Sequence, residues 1–286
     1  MNSLRICIFI IAGLVLLVSP TVAERVEHVE EILSEDGIEE LEIQIDFGAG
    51  VIEITTEEME EAAKLDIFYS PRYVDYETNL NVRDGRGRMF LESEISKHHW
   101  DDNDFENEWN LTLSKKYPTS LDLDIGACKA RFDLSGIPLV DLQIDVGAAD
   151  LEIEFNEPNP GRLRELNIDC GASSLEIIGL ANARAEMMDF DIGAGSCEID
   201  LRGEIEGEVE VDIDVGVGSM DVIISRDIAV MIRGDDDWFS SLDFHGMRLD
   251  EVRDGVWMSE DFDEAEDRIV FTVDVSMGSV DIYARR

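Results

Sequence analysis

Acidic side chains recur at fixed positions along this sequence, and they are the residues most able to do chemistry. One aspartate occupies the same place in seven similar segments, as Asp46, Asp124, Asp145, Asp169, Asp191, Asp214 and Asp274. A second position follows later in each segment, as Glu53, Arg131, Glu152, Glu176, Glu198, Asp221 and Asp281. Carboxylate oxygens bind hard cations such as Ca²⁺, and pairs of carboxylates hydrolyse glycosides in many enzymes.

The recurring aspartates leave two alternatives open. Adjacent strands lie about 4.8 Å apart, and two like charges at that distance in water repel by roughly 1 kcal/mol. Either backbone N–H groups near the following glycine donate to the carboxylates, which we expect, or cations bind along the row. The second alternative implies a speculative cation column of Asp124, Asp145, Asp169, Asp191 and Asp214. We predict no catalytic residue and no cofactor, since no pair of carboxylates stands apart from the others.

Two short loops carry further candidate ligands. They are His98, His99, Asp101 and Asp102 around Trp100, and the run Asp235, Asp236 and Asp237. Adjacent histidines in a strand point to opposite faces, and the aspartate run lacks the spacing of a calcium-binding loop. We therefore interpret both as solvated acidic loops.

The elements that position these side chains are predicted to be strands of a repeat. Apolar and polar residues alternate before a glycine and again after it, as in residues 142–155. The aligned glycines, at spacings of 21, 24, 22 and 23 residues, are Gly126, Gly147, Gly171, Gly193 and Gly216. Such a step indicates a solenoid, with a corner at each glycine where positive φ costs little. We predict an all-β fold, a single-stranded right-handed β-solenoid with coils of roughly 22 residues.

Composition restricts the partners. Of 286 residues, 66 are acidic and 23 are Lys or Arg, so the net charge is -43. This charge argues against nucleic acid and anionic membranes as partners, because phosphate binding needs a basic surface. It favours solubility, cation binding or a saline habitat. The 44% of hydrophobic residues excludes global disorder.

The first residues predict export. An apolar run at residues 6–18 follows Arg5 and precedes small residues ending at Ala23, which is typical of a cleaved signal peptide over residues 1–23. No later run is long enough to span a membrane, so we expect an extracytoplasmic protein that is secreted, periplasmic or on the cell surface. Cys170 and Cys197 fall at inward positions of the repeat and are expected to be core thiols, with a disulfide between them left open.

Two regions interrupt the repeat. Residues 64–110 are predicted to form a strand meander with a hairpin turn at Asp84 and Gly85. Residues 235–267 are predicted to form an irregular excursion packed on the end coil. The domain prediction is a signal peptide at 1–23, an N-terminal module at 24–118 and a β-solenoid repeat domain at 119–286.

The repeated pattern, seen at residues 43–50, 121–128 and 188–195, resembles the toast-rack repeat proteins of bacteria and archaea. Residues 45–54 and 107–121 look like the family's N-terminal module, and residues 243–282 are similar to the C-terminal end of its LiaF-like group. The resemblance implies the solenoid fold and supplies no catalytic residues.

These observations favour a non-enzymatic exported β-solenoid that acts as an adhesin-like or envelope scaffold protein. Its partner would be an unknown protein or glycan of the cell envelope, with divalent cations as further candidates. Two alternatives remain, a carbohydrate-active β-helix enzyme that uses surface carboxylates and a cation-binding surface protein.

Overall fold

The computed structural model describes residues 26–95, 105–234 and 240–286. These residues form one sixteen-stranded sheet, and the only helix among them is a 3-10 turn at Leu180–Ala183. The all-β prediction is confirmed. The predicted signal peptide lies outside the described residues, as do the two candidate loops at His98–Asp102 and Asp235–Asp237.

The centre of the sheet is a stack of long parallel strands. In spatial order they are β2 (Glu40–Glu57), β7 (Thr119–Asp133), β8 (Leu139–Glu154), β9 (Leu163–Ile178), β10 (Ala185–Leu201), β11 (Glu208–Ser225) and β16 (Arg268–Arg285). Their register follows the repeat, since Leu142 lies opposite Leu121 on one side and Leu166 on the other. From β7 to β11, each step across the sheet corresponds to one repeat of the sequence.

The core is built from the alternating apolar residues of these strands. Ile125, Val146, Cys170 and Ile192 lie side by side on neighbouring strands, and all four are buried. Branched side chains suit such positions because they pack well on the pleated surface of a sheet. Stacking the strands thus buries a continuous apolar face that a single repeat could not bury alone.

The repeat glycines are required for a reason that we did not predict. None of the five has positive φ, and each strand continues through its glycine without a break. Instead, a Cβ at Gly126 would lie 2.2 Å from the backbone oxygen of Gly48, and one at Gly171 would lie 2.6 Å from that of Gly147. The expected role of positive φ is therefore wrong at this position. Glycine is needed because neighbouring backbones approach too closely for any side chain.

At each end of the stack, two short strands take the place of one long strand. β5 (Arg86–Ile95) pairs with the first half of β2, and β6 (Asn107–Ser114) pairs with the second half. At the other end, β12 (Ala229–Gly234) and β13 (Ser240–His245) pair with the two halves of β16. At each end of the stack, the strand that would continue the repeat is thus split into two shorter strands.

Antiparallel strands cover parts of these ends. They are β4 (Val74–Arg83) on β5, β3 (Ala63–Tyr69) on β6, β1 (Glu27–Leu33) on β3, β15 (Val256–Met258) on β12 and β14 (Asp250–Arg253) on β15. The predicted hairpin is confirmed, with positive φ at Asp84 and Gly85. Antiparallel additions end a parallel stack and reduce its open edges.

Two predictions about these regions need correction. The described residues within 64–110 contain the expected strands but no simple meander, because β3 pairs with β1 and β6 while β4, in this part of the chain, pairs only with β5. The C-terminal excursion is not irregular: it contains β13, β14 and β15, and Phe244 packs edge-on against Trp257. The domain boundary at residue 118 stays a prediction, and one sheet runs across it because β2 pairs with β7.

Candidate functional site

The repeated aspartates form a line across seven neighbouring strands, which we call the aspartate row. In spatial order its members are Asp46, Asp124, Asp145, Asp169, Asp191, Asp214 and Asp274, each directly opposite the next. The row extends beyond the repeat, because Glu92 on β5 lies opposite Asp46 and Glu77 on β4 lies opposite Glu92. Sequence reasoning missed this extension since β4 and β5 lack the glycine pattern.

Among the residues that the structure describes, the expected hydrogen bonds from backbone N–H groups to this row are not formed. Within the described residues, the donor that reaches the row is the side chain of Gln143, whose Nε2 lies 3.0 Å from Oδ2 of Asp145. Burial, and then the charge of neighbouring acids, raises the pKa of Asp46, Asp169 and Asp214. The charges of neighbouring acids therefore disfavour ionisation of these three carboxylates.

Many basic side chains of the described residues pair with acids outside the aspartate row. Across neighbouring coils, Arg162 lies 3.1 Å from Glu186, Lys115 lies 2.6 Å from Glu157, and Arg268 lies 2.6 Å from Glu208. No ion pair among the described residues involves a member of the aspartate row. The paired cations thus act on other parts of the surface, and no ion pair within the described residues neutralises the aspartate row.

The second acidic position forms another line on the other side of the corner, which we call the glutamate row. Its members are Glu53, Arg131, Glu152, Glu176, Glu198, Asp221 and Asp281. Here the charge is partly compensated, because Arg131 donates to Glu152 at 2.9 Å. The two rows therefore differ in their electrostatics although both arise from the same repeat.

The strand segments that follow the corner glycines form one half of the sheet. Both edges of that half carry histidines with similar surroundings. At one edge His28 on β1 contacts Asp66 on β3, and its ring stacks on Phe68 with 4.3 Å between ring centroids. At the other edge His245 on β13 lies 2.7 Å from Asp281 and stacks on Tyr283. Sequence reasoning missed both, because the partners come from segments far apart in the chain.

The cysteines behave as core residues. Cys170 and Cys197 are buried and unbonded, and Cys128 is partly buried and also unbonded. Burial, more than any charge, raises the pKa of Cys170 to about 11 and also raises that of Cys197. A thiol that stays protonated is a poor nucleophile. The prediction of core thiols is confirmed for Cys170 and Cys197, and the two are not joined by a disulfide.

A groove lies at the C-terminal end, away from the aspartate row. Its volume is about 560 Å³. It is lined by both charges, with Arg226 and Arg248 beside Asp227, Glu260 and Asp261. Because acidic and basic side chains line the groove in similar numbers, it does not favour a ligand of one charge. No member of the aspartate row lines the groove.

Comparison with protein families identifies the chain. The family model described as the N-terminal domain of toast_rack, DUF2154, matches residues 22–178 and again residues 163–223, and the first match alone covers more than half of the chain. The chain belongs to the toast-rack family. The two matches overlap in the region of β9, as expected when one model fits a repeating sequence at more than one register. No curated protein sequence matches this toast-rack protein.

Several solved structures are similar to this toast-rack protein at low identity. A proposed cell adhesion protein from Clostridium sporogenes is 18% identical, with 91% of this chain and 100% of that chain covered and a TM-score of 0.49. A proposed adhesin from Bacteroides fragilis is 13% identical, with 91% and 97% covered and a TM-score of 0.32. A proposed lipid binding protein from Parabacteroides distasonis is 12% identical, with 90% and 96% covered and a TM-score of 0.24.

The structure also bears on membrane crossing by helices. Within residues 26–95, 105–234 and 240–286, no helix has the length and apolar character needed to cross a membrane.

Proposed function

We propose that this toast-rack protein is a non-enzymatic, exported β-solenoid that acts as an adhesin-like or scaffold protein at the cell surface or envelope. The observation that carries the proposal is the aspartate row, a line of carboxylates on seven neighbouring strands that no basic side chain neutralises among the described residues. Export rests on the apolar run at residues 6–18 and the small residues that follow it.

The finer description of the fold belongs to the same proposal. Parallel pairing of each repeat with the next supports a single-stranded solenoid with coils of roughly 22 residues. The coils are right-handed in this proposal, because crossovers between parallel strands of one sheet are right-handed in nearly all proteins. A solenoid of this kind offers the same carboxylate about every 4.8 Å.

The electrostatics of the row support binding in preference to catalysis. Acid–base catalysis by two carboxylates requires environments that drive their pKa values apart. Here Asp46, Asp169 and Asp214 are shifted in the same direction by the same two causes, burial and neighbouring acids. Carboxylates at regular spacing instead suit a repeating partner, since each further contact adds to the total affinity.

The partner in this proposal is a protein or glycan of the cell envelope that presents positive charge or approaches through divalent cations. The net charge of -43 disfavours nucleic acid. The cation column of Asp124, Asp145, Asp169, Asp191 and Asp214 is the part of the row that we propose as the contact surface.

Capture of envelope proteins and glycans on the immobilised chain, with and without Ca²⁺, tests the proposal. A variant with Asp145, Asp169 and Asp191 changed to Asn should capture about tenfold less, because three adjacent contacts are lost. The matched control changes Asp36 and Asp254 to Asn and Glu58 to Gln, which removes the same charge from exposed sites outside the row. Equal capture by the two variants, or no capture by the unmodified chain, would overturn the proposal.

A glycan panel separates this proposal from the enzyme alternative. We expect no hydrolysis by the unmodified chain. Hydrolysis that is lost on Asp169→Asn and kept on Asp145→Asn and Asp191→Asn would instead identify one carboxylate as catalytic.

A further inference from the structure

We infer that His28, Glu30 and Asp66 form a binding site for a divalent transition-metal ion of the zinc class at the β1 edge of the sheet. The three residues lie on β1 and β3, and both strands pair with the second half of the coils through β6. The site is therefore separate from the aspartate row, which lies on the first half of each coil.

The antiparallel register brings the three side chains together. His28 and Glu30 are two residues apart on β1, so they point to the same face of the sheet. Glu30 lies directly opposite Asp66, and His28 lies opposite Phe68, two residues further along β3. One imidazole nitrogen and two carboxylate oxygens consequently lie within 4.8 Å of one another. Ligands of a tetrahedral zinc ion lie roughly 3.4 Å apart, so small side-chain rotations suffice to close the set.

The surroundings of His28 hold its ring in a ligating orientation. The ring stacks on Phe68 with 4.3 Å between centroids and 1° between planes, and Nε2 contacts Oδ1 of Asp66. A ring fixed in this way loses little freedom when it binds a metal. The side chains of His28 and Asp66 remain 44% and 46% exposed, so an ion can enter from solvent.

The donor set indicates which ions should bind. Imidazole suits Zn²⁺, Cu²⁺ and Ni²⁺, whereas Ca²⁺ and Mg²⁺ prefer sites made of oxygen alone. Three protein ligands leave a fourth position of a tetrahedral ion open to water or to a group of another molecule. The ion would also join β1 to β3 and so stabilise the edge of the sheet.

The opposite edge provides an internal comparison. His245 stacks on Tyr283 and lies 2.7 Å from Asp281, while Asp243 lies opposite Asp281 in the parallel register. Among the described residues, however, only the His28 set brings three potential ligand atoms within 4.8 Å of one another. We therefore expect the stronger site at His28.

Titration of the full chain with Zn²⁺ in excess Mg²⁺ tests the inference, since excess Mg²⁺ competes with Zn²⁺ for sites made of carboxylate oxygens alone. His28→Gln should lower zinc affinity at least about tenfold, because a metal ligand is lost. This substitution leaves the formal charge of -43 unchanged, since histidine is counted as neutral, so diffuse binding to the acidic surface remains. Glu30→Gln and Asp66→Asn should also weaken binding, and His245→Gln is the matched control with unchanged affinity for the strong site.

Thermal unfolding gives a second readout that does not depend on the titration. Zn²⁺ should raise the melting temperature of the unmodified chain and of His245→Gln by more than that of His28→Gln, because occupation of the strong site stabilises the folded state. Melting of each variant in a chelator first establishes that it is folded. Equal zinc affinity and an equal rise in melting temperature for His28→Gln and the unmodified chain would overturn the inference. A larger loss in His245→Gln would also overturn it.

Discussion

The centre of the stack and its N-terminal end form the same corner in different ways. In the centre, each corner belongs to one continuous strand, and the backbone of the preceding repeat fills the space beside its glycine. At the N-terminal end the coil is split into β5 and β6, and the buried side chain of Asn107 joins the parts. Its Nδ2 donates to the Ala49 carbonyl and to the Ser93 hydroxyl, both at 2.7 Å.

This difference shows what repetition does for a protein. Where the repeat continues, the backbones of neighbouring strands lie in direct contact at the corner. Glycine is required there because it has no side chain. Where the repeat ends, a particular polar side chain has to satisfy the backbone groups that a further coil would have paired. Substitution of a repeat glycine should therefore act through crowding, whereas substitution of Asn107 at the N-terminal end should act through lost hydrogen bonds.

The largest expected effect is from Gly126→Ala in the centre. Its Cβ would lie 2.2 Å from the backbone oxygen of Gly48, so one of the two coils must shift. We expect a loss of about 3 kcal/mol in the free energy of unfolding, at the upper end for overpacking. Urea denaturation measures it. Gly161→Ala is the control, because its nearest neighbour is an Asn159 side-chain oxygen at 3.4 Å. Equal stability of the two variants would contradict the crowding explanation.

Asn107→Ala, at the N-terminal end of the stack, should have the next largest effect on the free energy of unfolding. It removes two buried hydrogen bonds and leaves the Ala49 carbonyl without this donor, which costs about 2 kcal/mol. The control in the centre is Asn167→Ala, whose side-chain amide donates to the exposed Glu165 and should change stability by less than about 0.5 kcal/mol. If chemical denaturation ranks the two variants the other way, Asn107 is not what joins the split coil.

A smaller effect should follow from Asp169→Asn in the aspartate row. Burial and the charges of Asp191 and Asp145 raise the pKa of Asp169, so its ionised form destabilises the fold at neutral pH. Removing that charge should stabilise the chain by about 0.5 kcal/mol at pH 7, the size expected for like charges opposite one another in a sheet. Thermal melts at pH 7 measure the gain, and a loss of stability would mean that the carboxylate has a favourable partner.

The pH dependence of Asp169 should be opposite in sign to that of Asp200. As the pH falls through the raised pKa of Asp169 toward the ordinary value of 3.8, its unfavourable contribution disappears and stability rises. Hydrogen bonds from Arg202 lower the pKa of Asp200, so its favourable contribution is present above 3.8 and is lost as the pH falls below that value. Asp200→Asn should therefore lower stability at pH 7.

The smallest expected effect is that of salt. Repulsion along the aspartate row is screened by ions, so NaCl should raise the melting temperature slightly, and Ca²⁺ should raise it more if cations bind along the row. The variant with Asp145, Asp169 and Asp191 changed to Asn should respond less than the control with Asp36, Glu58 and Asp254 changed. A melting temperature that neither NaCl nor Ca²⁺ alters would exclude the cation column.

Much of the regular stack could be predicted from the sequence. The alternation of apolar residues identifies the strands, and shifting a strand by one residue would expose its whole apolar face, so the register follows from the repeat. The inward positions of Cys170 and Cys197 follow for the same reason. The hairpin at Asp84 and Gly85 was also predictable, because its turn depends only on local backbone preferences.

Other features could not be predicted because they depend on segments that are distant in the chain. β16 lies between β11 and the split pair β12 and β13, although β12 follows β11 directly in sequence. The set of His28, Glu30 and Asp66 exists only because β1 pairs with β3 in one register. Within the aspartate row, the sequence favoured backbone N–H donors, yet the continuous strand keeps its N–H groups in the ladder.

The sequence by itself determined which residues face inward and which face outward, since a period of two along each strand separates the two faces. Only the tertiary structure decided why each corner needs glycine, how the ends of the stack are closed and which histidines meet carboxylates. Those outcomes depend on contacts between neighbouring coils and between edge strands, and no local pattern encodes such distances.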